Sequence, residues 1–208
     1  MTLSNICSTM EMDIFHKINK DAYERRLHFL ILSGIITLMK RILAQKGRRH
    51  MNRVLDVARY VVNYSNQQNY GVSNLKLQKL LYLAQAYFLL NNRGRCFSER
   101  IEAWDFGPVV PEAYHEFKRF GSGNIPTIDR YWEADTAQAR VYQKEYREEA
   151  IPPEDRKLIS EVVDNFKDYS ATALVKLTHN QTPWCDAYVP GLNREIEPDS
   201  IQRYFSHE

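Results

Sequence analysis

The side chains able to do chemistry are thinly spread. Glu102 and Asp105 offer two carboxylates, but three positions apart on an extended segment they face opposite sides. Glu112 and His115 stand three apart in a stretch with helical character and could touch, with a surface ion pair as the plainer meaning. His179, His115 and Asp105 are the nearest approach to a hydrolytic set. They leave nucleophile, base and oxyanion donor unassembled, so catalytic residues are not expected. No GxSxG elbow, P-loop, GxGxxG or HExxH occurs. Cys7, Cys96 and Cys185 are odd in number, far apart and without a CxxC pair, which suits a reducing cytoplasm. A metal would need Cys96, Cys185, His115 and His179 to converge from distant positions; packing and surface roles are the expectation, with neither metal nor cofactor.

The unusual stretch is 101–114, IEAWDFGPVVPEAY, where two aromatics, a Gly-Pro break and a second proline make a stiff turn between strand and helix. Such a turn can hold Trp104, Phe106 and Tyr114 as a rigid recognition surface, since aromatics give large contact area at small entropy loss. Trp104 as a plug in the core is the alternative. The candidate partner-binding residues are therefore Trp104, Phe106, Gly107, Pro108, Val109, Pro111, Glu112, Tyr114 and His115.

The elements that must hold this turn follow from periodicity. Val54, Leu55, Val57, Ala58, Val61 and Val62 predict an amphipathic helix over 52–66. Leu75 to Leu90 is apolar almost all round, as a helix at the centre of a domain must be, with Ser73 or Asn74 as its cap and Gly94 beyond its end. Residues 97–106 read as one or two short strands that Gly107-Pro108 breaks, and Pro111 starts a helix over 111–120. Gly121 to Arg130 reads as a loop, and 131–150 as a partly ordered segment or exposed helix anchored by Trp132, Val141, Tyr142 and Tyr146. Helices follow over 154–168, after Ser170 through His179, from Thr182-Pro183-Trp184, and from Pro198. The expected fold is a compact single domain, mainly α with a small β-hairpin element, an α+β protein.

With 44% apolar and 26% charged residues, the 208-residue chain is composed like a globular protein, which excludes disorder, collagen-like repeats and disulfide scaffolds. Residues 1–50 hold nine Lys/Arg against four Asp/Glu; the remainder holds nineteen against twenty-two, a net of −3. That balance argues against a nucleic-acid-binding regulator, which needs a basic face. The run Leu27–Met39 has thirteen residues, short of the roughly 20 that span a bilayer, so no stable membrane insertion is expected. Lys46-Gly47 can be encoded as AAA-GGA, a purine run like a ribosome-binding site three codons before Met51. The expectation is that residues 1–50 are an N-terminal extension, read as translated leader, and that 51–208 is the domain.

LKLQKLLYLAQAYFLL (75–90) followed by RIEAWDFGPVVPEAYHEFKRFG (100–121) resembles the Panacea domain family, which includes SocA-like antitoxins and phage-associated GepA-like proteins. Lys76, Leu77, Lys79, Leu80, Tyr82, Ala84 and Gln85 match its first motif. Glu102, Ala103, Trp104, Gly107, Pro108, Val109, Pro111 and Tyr114 match its second, and THNQTPW (178–184, with Pro183 and Trp184), Ile196 and Tyr204-Phe205 resemble its C-terminal end. The resemblance covers about 52–208. It implies a cytoplasmic bacterial antitoxin that neutralises a cognate protein toxin encoded nearby. One branch of the family delivers its toxin to a protease, so an ATP-dependent protease is a further implied partner. A nucleic-acid-binding regulator and an unrecognised hydrolase stay as alternatives.

Overall fold

The computed structural model describes residues 51–135 and 138–206; the apolar run Leu27–Met39, and with it the whole of 1–50, lies outside them. Asn52 stitches the start of the described chain to the body, its backbone N–H and side-chain amide both donating to the Cys96 carbonyl at 3.1 Å. Helix α1 then runs Val54–Gln67, and Glu99 accepts from the Val54 N–H at its first turn. Its valines at three- and four-residue steps are fully buried.

Helix α2, Asn74–Leu90, is the centre. Ser73 caps it by accepting from the Lys76 N–H, and fourteen of its seventeen residues are buried. It packs on α1, on α4 (Pro153–Asn165), on α5 (Ala171–His179) and on α7 (Pro198–Ser206). A helix wrapped on several sides must be apolar all round. Between α5 and α7 lies the short α6, Thr182–Ala187. The remaining helix, α3, Pro111–Phe117, starts on its proline and runs into a 3-10 turn, Lys118–Phe120. Seven α-helices and two antiparallel two-stranded sheets thus make up the described residues, the expected α+β class.

Two expectations change. Gly107-Pro108 does not end the strand: β1, Glu102–Trp104, turns over Asp105-Phe106, and β2, Gly107–Val109, begins on the glycine. Gly107 can do this because its φ is +90°. Residues 194–196 line the other edge of β1, with the Ala103 N–H donating to the Arg194 carbonyl at 2.8 Å and the Ile196 N–H to the Ile101 carbonyl at 2.7 Å. The segment 131–150 holds no α-helix, only a 3-10 turn at Glu148–Ala150. Strands β3, Arg130–Asp135, and β4, Arg140–Glu145, form a six-pair hairpin in the register Tyr131↔Lys144 and Trp132↔Gln143. Its inner side is pinned through Tyr131, whose ring lies 3.5 Å under the Arg59 guanidinium, and through Glu133, which ion-pairs with Arg53 and with Lys144. The outer side carries Trp132 and Val141, both about two-thirds exposed. Alternation of period two wins over helix propensity because one side has buried partners and the other has none.

Candidate functional site: a clamped hairpin turn

The IEAWDFGPVVPEAY stretch is held from below by a polar stripe on α2. Asn74, Gln78, Tyr82 and Gln85 recur at three- and four-residue steps, and Lys79 sits beside them. The Asn74 amide donates to the Tyr114 carbonyl at 3.2 Å and, through its oxygen, accepts from Gln78 at 3.0 Å. The Gln78 oxygen accepts from the Val110 N–H at 3.0 Å. Gln85 accepts from the N–H groups of Cys96 and Phe97, at 2.9 and 3.3 Å. The Tyr82 hydroxyl donates to the Gln181 side chain at 2.8 Å. Each polar group on this otherwise apolar helix thus satisfies a buried group that no ladder reaches.

Lys79 is the extreme case. It is fully buried, and its Nζ has one hydrogen-bond partner, the Pro108 carbonyl at 2.8 Å. No acid pairs with it, and burial alone pushes its pKa down to about 7. A Cβ on Gly107 would come within 2.8 Å of Thr178 Oγ1 and 3.0 Å of Lys79 Cε. The turn is packed to contact.

A second grip comes from the C-terminal helices. His179 stacks on Trp184 with centroids 4.0 Å apart, and Trp184 stacks on Tyr188 at 4.5 Å. Two of them hold the turn: Trp184 Nε1 donates to the Trp104 carbonyl at 3.1 Å and the Tyr188 hydroxyl donates to the Asp105 carboxylate at 2.9 Å, while the His179 ring lies beside the Asp105 backbone, which favours its charged form. His179 Nε2 is buried without a partner. Burial first, then nearby Lys79, lowers the His179 pKa.

The candidate residues now divide. Gly107, Pro108 and Val109 are buried, and Trp104, Pro111 and Tyr114 are half-buried. Trp104 donates to the buried Glu102 carboxylate at 2.8 Å and packs edge-on against Tyr114 at 4.9 Å, so it is partly a plug in the fold and partly open to solvent. Phe106, Glu112 and His115 are exposed, Phe106 by 68% at the tip of the turn. Of the scaffold residues, Lys76, Lys79, Leu80, Tyr82, Gln85, Pro183 and Trp184 are all buried, and Lys76 caps the 165–168 turn by donating to the Lys167 carbonyl at 2.7 Å. Burial by desolvation, then Glu99, pushes the Glu112 carboxyl up.

The chemically able residues do not assemble into a reaction centre. Asp105 turns its carboxylate to Tyr188, while the His115 ring packs against Tyr114 at 5.4 Å. Cys96 is buried and Cys185 exposed; among the described residues no group of three or more His, Cys, Asp or Glu could hold a metal ion. No helix among them is long and apolar enough to cross a membrane.

Sequence reasoning missed how Gln78 and Asn74 grip the turn and how Thr178, His179, Trp184 and Tyr188 close on it, having read Asn74 as a possible cap and 178–184 as a family motif. The signal for the first two was present: amides on the inner side of an apolar helix must be bonded to something. Trp184 and Tyr188 bond to the turn across 80 and 83 residues, so those contacts left no local trace.

A family model described as "Antitoxin SocA-like, Panacea domain" matches residues 77–185, which runs from within α2 to just past Trp184 and takes in the β1–β2 turn. The chain is also similar to "Antitoxin SocA" of Caulobacter vibrioides (strain NA1000 / CB15N), 32% identical over 142 residues that make up 66% of this chain and 71% of that protein. No solved structure matches the chain.

Proposed function

The chain belongs to the SocA-like Panacea domain family, and from that premise we propose that it acts as an antitoxin, neutralising a cognate protein toxin encoded nearby by direct binding. The observation that carries this reading is the likeness to Antitoxin SocA over two-thirds of the chain. The geometry agrees with a binding role. The β1–β2 turn is fixed on two sides, so little conformational entropy is lost when a partner docks on it. Phe106 at the tip, with Glu112 and His115 on α3, forms the contact surface; Trp104, Pro111 and Tyr114 support it from behind. An exposed aromatic anchor of this kind contributes about 2 kcal/mol or more when it fills a pocket. Residues 51–208 carry the activity, and 1–50 are dispensable to it.

The test is co-expression of the neighbouring gene product with the full chain and with 51–208. Both rescue growth, while Phe106→Ala, Glu112→Ala and His115→Ala variants that stay folded rescue less and bind the toxin more weakly. A neighbouring product that is harmless on its own refutes the antitoxin reading. Full rescue and unchanged affinity in all three variants move the interface elsewhere. Following toxin abundance in cells with and without an ATP-dependent protease separates inhibition by binding, where abundance is unchanged, from delivery for degradation, where it falls.

A further inference from the structure

The two grips on the β1–β2 turn share a feature that hydrogen bonding alone does not require: each contains a titratable base, Lys79 fully buried and His179 half-buried with its Nε2 shut away from solvent. We propose that Lys79 and His179 form a proton-operated latch on the β1–β2 turn, closed while both are neutral and released as they take up protons. The latch concerns how the turn is held and does not depend on what docks there.

The geometry is specific. Lys79 reaches the return strand at the Pro108 carbonyl, and His179, stacked on the Trp184 that holds the Trp104 carbonyl, lies beside the backbone of Asp105 in the turn. Between them lies Gly107, with Thr178 Oγ1 filling the remaining space. A neutral amine that donates to this carbonyl leaves one N–H unpaired; an ammonium leaves two, and a full charge with no counter-ion beside it. Protonated His179 meets the same difficulty at Nε2, which faces no partner. The two cations also repel, since each lies within the other's field.

No neighbouring acid compensates. On α2, Lys76 sends its Nζ away to the Lys167 carbonyl, and Gln78 and Tyr82 are uncharged. In the hairpin, the Asp105 carboxylate holds Tyr188, and Glu102 holds Trp104 and Arg100. From α6 the turn meets Trp184, with the Cys185 thiol donating to the His179 carbonyl at 3.1 Å. On α1 and α3, Asp56 and Glu116 serve Arg59. Glu112, also on α3, lies in the field of Glu99, Arg53 and Arg59. On α4, Asp155 serves Arg93, Asp164 holds Tyr64, and Glu161 lies near Tyr87. Asp199 and Arg203 of α7 line an open surface hollow.

The sign follows from linkage. A base disfavoured as a cation in the closed state and free to protonate in the open one draws a proton on opening. Opening therefore becomes easier as pH falls. For Lys79 the window runs from its ordinary 10.5 down to about 7; His179 adds a further step from 6.5 downward.

Hydrogen exchange followed by NMR on the full chain reads the latch. The reporters are the Trp184 indole N–H, bonded to the Trp104 carbonyl, and the Val110 amide, bonded to Gln78. Their protection, corrected for intrinsic exchange, is expected to sit below that of the α1 amides of Val57 to Val62. It is expected to fall up to about tenfold per pH unit from 9 to 7. In Lys79→Met this fall disappears, and the His179 imidazole titrates at higher pH than in the parent. His179→Phe, which keeps the stack on Trp184, keeps the fall above pH 7 and loses the step below it. Reporters that match the α1 amides at every pH, or keep their slope in Lys79→Met, overturn the latch. If Lys79→Met does not fold, Lys79→Gln, a neutral donor, replaces it with the same expectations.

Discussion

Replacing Gly107 by alanine tests the packing of the turn directly. Two costs add. At φ +90° an L-residue is strained, by about 1–3 kcal/mol. The new methyl also meets Thr178 Oγ1 at 2.8 Å and Lys79 Cε at 3.0 Å. Neither neighbour yields easily: Thr178 is fully buried and donates to the Leu174 carbonyl, and Lys79 is tied to Pro108. Overpacking of that kind costs about 1–3 kcal/mol. The expected loss is about 2–6 kcal/mol, a large share of the ~5–15 kcal/mol that holds a domain of this size. Gly94→Ala is the control, because Gly94 has φ +75° with nothing within 4 Å of its added methyl. It carries the backbone cost alone. Urea melts of parent, Gly94→Ala, Gly107→Ala and Gly107→Ala/Thr178→Ala, with slopes compared to check two-state behaviour, separate the contributions. The double variant should recover part of the loss. Equal losses for the two glycines would falsify the crowding argument.

Leu81→Ala in α2, a fully buried position, is expected to cost about 2–5 kcal/mol in the same melts, and a change below about half a kcal/mol would place α2 outside the core. Trp132→Thr is expected to change stability by about 0.5 kcal/mol or less, because the ring is 65% exposed on the outer side of the β3–β4 hairpin; a larger loss would mean that side is covered. Hydrogen bonding to Arg53, foremost, holds the Glu133 carboxyl down at about 2. The folded value is depressed, so its contribution is complete above pH 4.5 and lost as pH falls toward about 2. Tyr131 amide protection should drop in that window and not in Glu133→Gln, whose hairpin should be equally loose at pH 6.

The helices were legible because each has its own local signal: valines in α1 at helical steps, Pro111 and Pro198 at first turns, Ser73 and Ser170 as caps. The β3–β4 hairpin was not, because its alternation is written in mixed charges and aromatics. Tyr131 and Glu133 count as inward-facing only once Arg59 and Arg53, some seventy to eighty residues earlier, are known to meet them. A small hairpin was legible, but its break was read at Gly107-Pro108; the turn falls at Asp105-Phe106, with Gly107 starting the return strand against Thr178 and Lys79. Of the proposed contact residues, sequence could name the stretch. Burial then separated Phe106, Glu112 and His115 from the residues that only support them.

The polar stripe of α2 points inward, and where it meets the turn and α3 it grips backbone: Lys79 at a carbonyl, Gln78 at an amide, Asn74 at a carbonyl. Main-chain groups are the same whatever residue carries them. The scaffold can therefore accept new side chains at Phe106, Glu112 and His115 without renegotiating a single buried contact. On the proposed reading of this turn as the contact surface, the fold is modular at the scale of one turn: substitutions at exposed positions would alter what docks there and leave the buried grip as it is.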